Sequence, residues 1–291
     1  MRIEQPTTNR AKNVLSRPTR PLAFAYYLSV RVLYFLCGQK WFRNIGTRKR
    51  RHAALLDLFL QETNYPQAVW PEIRRKALVT DLVQQLWGER FMDVAPLIVE
   101  GQEYAEMARS TGKGLIFVRF HQKLGRSRPS SPLSFWLEQG EFRPTITIHR
   151  GRKRQVAQPQ TSEKLVNAQE LFEANKILRK GGVIQIVPDG YYGSTAIHVE
   201  FYARNRGFRT GFAELAVMTQ ACVIPICLHF RMDGTLVIKL FPSLELSNAV
   251  SHEQAVAKLV TEYVTALGEF WKTYAHMIVY HHMKKHLNIA K

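Results

Sequence analysis

The sequence predicts an α/β domain, with a largely parallel central sheet flanked by helices, behind an N-terminal membrane-associated helical segment. Three observations predict it. Short apolar runs alternate with stretches of helical periodicity between residues 98 and 273, the pattern of strands joined through helical crossovers. Turn formers end many of those runs, among them Gly112, Gly114, Gly181, Gly182 and Pro188. Residues 1–50 carry eleven Lys/Arg and one acid, Glu4, around the apolar stretch Pro21–Cys37. The chain therefore divides into a basic, apolar N-terminal segment over 1–50 and an α/β domain over 51–291.

The elements follow in order. Pro21–Cys37 is seventeen residues broken by Ser29 and Arg31, short for a bilayer span and with a costly charge near its middle. Its tyrosines and the flanking Arg17, Arg20, Lys40 and Arg43 suit a helix lying in the membrane interface. The competing reading is a helix buried against the main domain. The cluster Arg48–Arg51 would meet anionic headgroups, at about 1 kcal/mol per charge. No small-residue cleavage site of the signal-peptide kind follows the apolar stretch.

Helical periodicity covers 52–62 (Leu55, Leu56, Leu58, Phe59) and 71–93 (Ile73, Ala77, Leu78, Leu82, Leu86), with Pro66 and Pro71 as punctuation. A strand is expected over Ile98–Gly101, a helix over 102–111 and a strand over 114–120. Residues 122–134 read as a turn-rich basic connection, followed by a helix near 134–139. Thr145–His149 alternates like a strand and runs into the cations Arg150, Arg152, Lys153 and Arg154. A helix over 162–180 stops at Gly181 and Gly182. Val183–Val187 is a strand, 211–219 a helix, Cys222–Cys227 and Thr235–Phe241 strands, and 251–273 a long amphipathic helix. No internal repeat or low-complexity tract interrupts the series.

Composition bounds the function. A chain of 291 residues with 46% hydrophobic and 11% aromatic residues has ample material for one large core. Its 41 Lys+Arg against 23 Asp+Glu give a formal charge of +18, which favours acidic partners: nucleic acid, an anionic membrane surface, an acidic carrier protein or a phosphorylated substrate. Against nucleic acid, no helix-turn-helix, zinc-finger or RNP-type pattern is present. The cations are also densest beside the apolar N-terminal stretch, which a membrane explains better. The three cysteines, Cys37, Cys222 and Cys227, show neither metal-ligand spacing nor a framework of pairs, so they read as reduced and mostly buried thiols.

The segment 112–121 runs from a small turn (Gly112, Gly114) through an apolar strand to His121. Open α/β sheets place their chemistry at such carboxyl ends of strands. With three further blocks it resembles the lysophospholipid acyltransferase superfamily, in its lipid A biosynthesis (lauroyl/myristoyl) acyltransferase-like branch. Gly101 with Gly112–Ile116 and His121 is similar to the first block. Leu178–Val183 followed by Val187–Gly190 is similar to the third, although the branch usually ends Pro-Asp-Gln where this chain has Pro188, Asp189 and Gly190. Phe201–Arg204, Thr210–Thr219 and Val223–Ile226 match the remaining signature. The order holds over roughly residues 15–280.

The resemblance implies transfer of a fatty acyl chain from an acyl-carrier-protein or coenzyme A thioester to a hydroxyl or amine of a lipid or glycolipid acceptor. It implies no metal and no organic cofactor, since the thioester is a co-substrate. It also implies association with an anionic membrane, on the cytoplasmic face of the inner or plasma membrane. In such chemistry a histidine removes the acceptor's proton, and a carboxylate four intervening residues later orients the ring. The histidine is His121, but the acid position holds Arg126. A guanidinium cannot accept the ring N–H and disfavours the protonated ring.

Three readings of this departure stand side by side. Asp189 orients His121, and Arg126 grips an anionic group of the acceptor. His121 works without an acid, at a lower rate. Or the site is inactive and the protein binds lipid or a partner. Arg150 is the better phosphate ligand among the cations of 150–154, the rest reading equally as a solvated loop. Arg209, Thr210 and Gly211 open a helix that could receive an anion, though Thr210 reads equally as an N-cap, and Asp189 with Gly190 as plain turn chemistry. His198 and Glu200 share a strand face without a third ligand. His282 and His286 fall on one side of a C-terminal helix, expected as a surface feature.

Overall fold

The computed structural model describes residues 20–39, 47–88, 91–124, 142, 146–148, 162–188, 196–246 and 251–289. Six strands form the main sheet: β1 (Leu97–Glu100), β2 (Leu115–Arg119), β3 (Ile146–Ile148), β4 (Val183–Ile186), β7 (Cys222–Phe230) and β8 (Leu236–Leu240). Their spatial order is β1-β8-β7-β2-β4-β3. Every neighbouring pair is parallel except β7 with β8. The largely parallel α/β sheet expected from the sequence is present, and β8 with β1 runs against the rest.

β2 sits in the middle of this sheet with all five residues buried, as a strand covered on both faces requires. It pairs with β7 from Leu115–Cys222 to Arg119–Ile226 and with β4 from Leu115–Val183 to Val118–Ile186. The carboxyl ends of β2 and β4 therefore lie side by side. The approach to β2 is tight. A Cβ on Gly114 would stand 2.5 Å from the carbonyl oxygen and 2.8 Å from the Cα of Leu178, both backbone atoms that cannot move aside. Gly114→Ala is expected to destabilise the fold by roughly 2 kcal/mol. An unchanged denaturation midpoint would contradict that close approach.

The flanking helices are α5 (Gln102–Ser110), α6 (Ser162–Arg179), α7 (Gly211–Thr219) and α8 (His252–Thr273). α6 ends as the glycine pair predicts. Gly181 adopts φ 74°, its N–H bonds to the Leu178 carbonyl, and the Gly182 N–H bonds to that of Ile177, the two bonds of a Schellman stop. α8 is capped by Ser251, whose side chain accepts the Gln254 N–H at 3.2 Å. It buries Val256, Leu259, Val260, Tyr263, Leu267, Phe270 and Trp271 at helical spacing.

Two features depart from the sequence reading. The helix expected over 71–93 is two: α3 (Trp70–Trp87) and α4 (Phe91–Val94), separated at Gly88, whose φ of 50° ends the first. Residues 196–209 form an unforeseen antiparallel hairpin, β5 (Ala196–Phe201) with β6 (Arg204–Arg209). Its two-residue turn puts Tyr202 at φ 50° and Ala203 at φ 58°.

The apolar stretch forms α1 (Arg20–Gly38), the helix among the described residues long and apolar enough to cross a membrane, with mean hydropathy 1.3 over Pro21–Gly38. One stripe, Tyr26, Val30 and Cys37, is buried in the same core as the sheet. The Tyr26 hydroxyl donates to the Gly234 carbonyl at 2.6 Å, Trp87 Nε1 donates to Ser29 Oγ at 2.9 Å, and Arg75 Nε donates to the Tyr34 carbonyl at 2.8 Å. The opposite stripe, Phe24, Leu28, Arg31 and Phe35, faces outward, Phe24 being 69% and Phe35 64% exposed. Residues 47–51 begin α2 (Thr47–Glu62).

None of the three cysteines forms a disulfide. Cys37 and Cys227 are buried and Cys222 is half-buried, in line with thiols used as small apolar side chains.

Candidate active site

β2 delivers Phe120 and His121 past its last ladder residue, Arg119. Phe120 is fully buried against Tyr263, Phe270 and Phe241, while His121 is half-buried. The backbone that follows is fixed from several sides. Gln122 forms an antiparallel bridge with Ile278, and its side-chain carbonyl accepts the Leu228 N–H of β7 at 2.9 Å. The Lys123 N–H bonds to the Met277 carbonyl at 2.8 Å.

Lys123 closes the arrangement. Its Nζ lies 3.2 Å from Asp81 of α3 and 2.8 Å from the Tyr280 hydroxyl, which in turn donates to Asp81 at 2.9 Å. A buried lysine is tolerable only when paired in this way. Burial, then the Asp81 carboxylate, pushes the Tyr280 phenol far above its ordinary range, so it stays a hydrogen-bond donor. The loop carrying His121 is thus held by the C-terminal segment as firmly as by its own strand.

That segment supplies the ring beside His121. The helix α9 (Tyr280–His286) buries His282, Met283 and His286, and the His282 ring lies against that of His121, with centroids 4.5 Å apart and planes 31° from parallel. The expectation that His282 and His286 form a surface feature is therefore corrected. Both are inside, because α9 packs on α2 and sets His286 against Phe201 and Trp271 while Tyr280 anchors its start. His286 stands among Phe59, Phe201 and Trp271. Among the described residues no cluster of three metal-ligating side chains occurs.

The other site candidates divide. Arg126, Arg150, Asp189 and Gly190 lie outside the described residues. Pro188, just before Asp189, is buried two residues past the end of β4, and β4 is the neighbour of β2. Arg209 ends β6, and Thr210 precedes α7 with φ −89° and ψ −16°. The Thr210 side chain does not cap α7, and its carbonyl receives the Glu214 N–H at 2.9 Å. Phe212 of α7 and Phe120 contact the same buried Tyr263 ring, at 5.3 and 5.5 Å. The start of α7 and the end of β2 thereby pack against one aromatic side chain. His198 and Glu200 both lie exposed on β5.

What sequence reasoning missed is the C-terminal contribution: His282, Tyr280, and Asp81 of α3. The available signal was the i, i+4 spacing of His282 and His286 with Met283 and Leu287 between and after them. On a seven-residue helix rich in cations it pointed to solvent.

A small groove with room for about 70 Å³ is lined by residues of α1, α2, α3 and α9, among them Cys37, Leu56, Ala77, Leu78, Asp81 and Tyr280. The residues that hold Lys123 therefore also line that groove.

Comparison with known proteins gives three findings. The family model described as bacterial lipid A biosynthesis acyltransferase matches residues 147–272, a span that begins beyond His121. No curated protein sequence matches the chain. Among solved structures, the chain is similar to the 1-acyl-sn-glycerophosphate acyltransferase PlsC of Thermotoga maritima. The identity is 16%, over 86% of this chain and 97% of that one, with a TM-score of 0.37. The family match supports the resemblance carried by the blocks between Leu178 and Ile226, and with it a lipid acyltransferase relationship in general.

Proposed function

We propose that this chain transfers a fatty acyl group from an acyl-carrier-protein or coenzyme A thioester to a hydroxyl or amine of a lipid or glycolipid, at an anionic membrane surface, with His121 as general base. The observation that carries the proposal is the position of His121. It is half-buried at the carboxyl end of the central strand β2, on a backbone pinned by Gln122 and Lys123. Ligands of open α/β sheets bind at that edge.

The reaction balances without a metal or prosthetic group. His121 accepts the proton of the acceptor hydroxyl as the oxygen adds to the thioester carbonyl. The tetrahedral oxyanion collapses, the C–S bond breaks, and the leaving thiolate takes the proton back from the imidazolium, giving an ester and a free thiol. Such a base contributes about 100- to 10,000-fold. Asp189, which follows β4 in the sequence, is proposed as the orienting acid. Arg126 and Arg150 are proposed to hold a phosphate or carboxylate of the acceptor. The Arg209–Gly211 junction is proposed to receive an anion at the start of α7. The direct test is thiol release from a purified acyl thioester. Release that requires added lipid acceptor supports transfer, and release indifferent to lipid argues against it.

Membrane association is proposed to use the outer stripe of α1. The inner stripe is committed to the core from Tyr26 to Cys37, which favours a helix lying in the interface over one crossing the bilayer. Phe24, Leu28 and Phe35 would enter the acyl boundary, and Arg31 between them would reach the headgroups. Replacing Phe24, Leu28 and Phe35 together with Glu is expected to abolish co-sedimentation with anionic vesicles while leaving the melting temperature within a few degrees. Undiminished vesicle binding would exclude α1 as the anchor.

A further inference from the structure

The first block lacks its carboxylate, and the ring that does lie against His121 comes from the opposite end of the chain. We infer that His282 is a positioning residue for His121, its imidazole forming the wall that fixes the plane of the base. This rests on the reading of His121 as the base. The centroid separation of 4.5 Å and the 31° tilt are those of two rings in direct, tilted contact.

Both rings are held on rigid supports. His282 is 5% exposed and lies in the first turn of α9, where its N–H bonds to the Val279 carbonyl at 2.8 Å. Next to the pair, the residues that follow His121 and those that precede His282 are joined by the Gln122–Ile278 bridge, by the Lys123 N–H to the Met277 carbonyl, and by Lys123 Nζ to Tyr280. A shift of α9 would therefore carry the His282 ring and the His121 loop together. Three contacts that each span more than 150 residues of sequence thus flank the two histidines.

The arrangement has a chemical consequence. A histidine that gains a proton in the course of reaction becomes a cation, and a cation is attracted to an adjacent aromatic face. Among the described residues, Lys123 is paired with Asp81 at 3.2 Å, and the His281 ring stands 5.9 Å from that of His282. His282 thus limits the rotation of the base and offers the imidazolium a polarisable face. A carboxylate would in addition select the tautomer, and that part of its role is left to Asp189.

The test uses the full chain with His282→Ala, His282→Phe and His282→Gln, each checked by thermal melting. Two readouts follow: kcat and KM for acyl transfer, and the His121 ring-proton resonances by NMR. His282→Ala is expected to lower kcat about 10- to 100-fold with KM unchanged, the scale of a misplaced catalytic group. It should also shift the His121 resonances as the ring-current contribution disappears. His282→Phe, which restores an aromatic wall, is expected to recover most of kcat, and His282→Gln, which restores only polarity, is not. A folded His282→Ala with unaltered kcat, or with His121 resonances in place, overturns the inference, as does recovery by Gln rather than Phe. If the wild-type chain transfers no acyl group, the function proposed above fails. The NMR arm then decides the ring contact by itself.

Discussion

His121→Ala is expected to reduce acyl transfer by about 100- to 10,000-fold, the range in which a positioned general base acts, with the melting temperature nearly unchanged. Two features make the prediction specific. His121 projects beyond the last ladder residue of β2, so the substitution removes no strand hydrogen bond. The loop is also retained by Gln122 and Lys123 through contacts that do not involve the His121 ring. A loss of activity accompanied by unfolding would point to a packing role. A folded variant with wild-type turnover would remove His121 from the mechanism. His121→Gln, of similar size and able to hydrogen-bond but not to accept a proton, is expected to behave like alanine.

The second large effect is loss of stability in acid. His229, His276 and His286 are all buried, and each is held well below the usual histidine range. Burial is the main cause, reinforced by Arg231 and Lys239 beside His229, by Lys123 and Lys76 near His276, and by Arg206 and Arg204 near His286. The values fall to about 4, about 3 and about 4. A base whose folded pKa is depressed is neutral in the native state, while the unfolded chain takes up the proton near pH 6.5. Stability is therefore fully present above about pH 6.5 and is lost as the pH falls from there toward 4.

Each histidine held neutral two or more pH units below its ordinary value carries about 3 kcal/mol at the acid end. Three together are comparable with the whole stability of many domains. Urea unfolding at pH 8, 7, 6, 5 and 4.5 is expected to show a plateau and then a steep fall. A flat profile down to pH 4.5 would mean that these rings are hydrated or already charged in the native state.

Much of the fold was legible because local signals agreed. β2 and β4 announce themselves as short, largely apolar runs that follow glycine turns, and both are buried strands. Gly181 stops α6 at the expected place because only a residue tolerant of φ 74° closes that turn. The hairpin β5–β6 was not legible for the complementary reason. Its turn uses Tyr202 and Ala203 at positive φ in place of the usual Asn-Gly pair. Tertiary packing holds the strained turn, with the Tyr202 hydroxyl donating to the Gly268 carbonyl at 3.0 Å and its ring stacked on Trp271.

The candidate site was legible in the same uneven way. His121 follows from strand-end geometry, and the start of α7 from its position after β6. His282 could not be found, because pairing residues 161 positions apart is a property of topology and not of spacing. Its burial also contradicts the polar look of α9, whose exposed face alone carries the lysines. The N-terminal helix shows the limit of composition from the other direction. Apolar residues all round Pro21–Cys37 serve two faces with different partners, one the core and one outside it, and hydropathy does not separate them.

The most direct measurement is mass spectrometry of lipids after incubating the detergent-solubilised chain with isotope-labelled acyl-carrier-protein and coenzyme A thioesters and a total lipid extract. The expected product is a labelled acyl ester or amide on one class of lipid, with free thiol in equal amount, and none with His121→Ala. No labelled lipid from a folded, vesicle-bound chain would contradict the proposed transfer, and would mark the protein as a lipid-binding relative of the acyltransferases that has lost the reaction along with the carboxylate at Arg126.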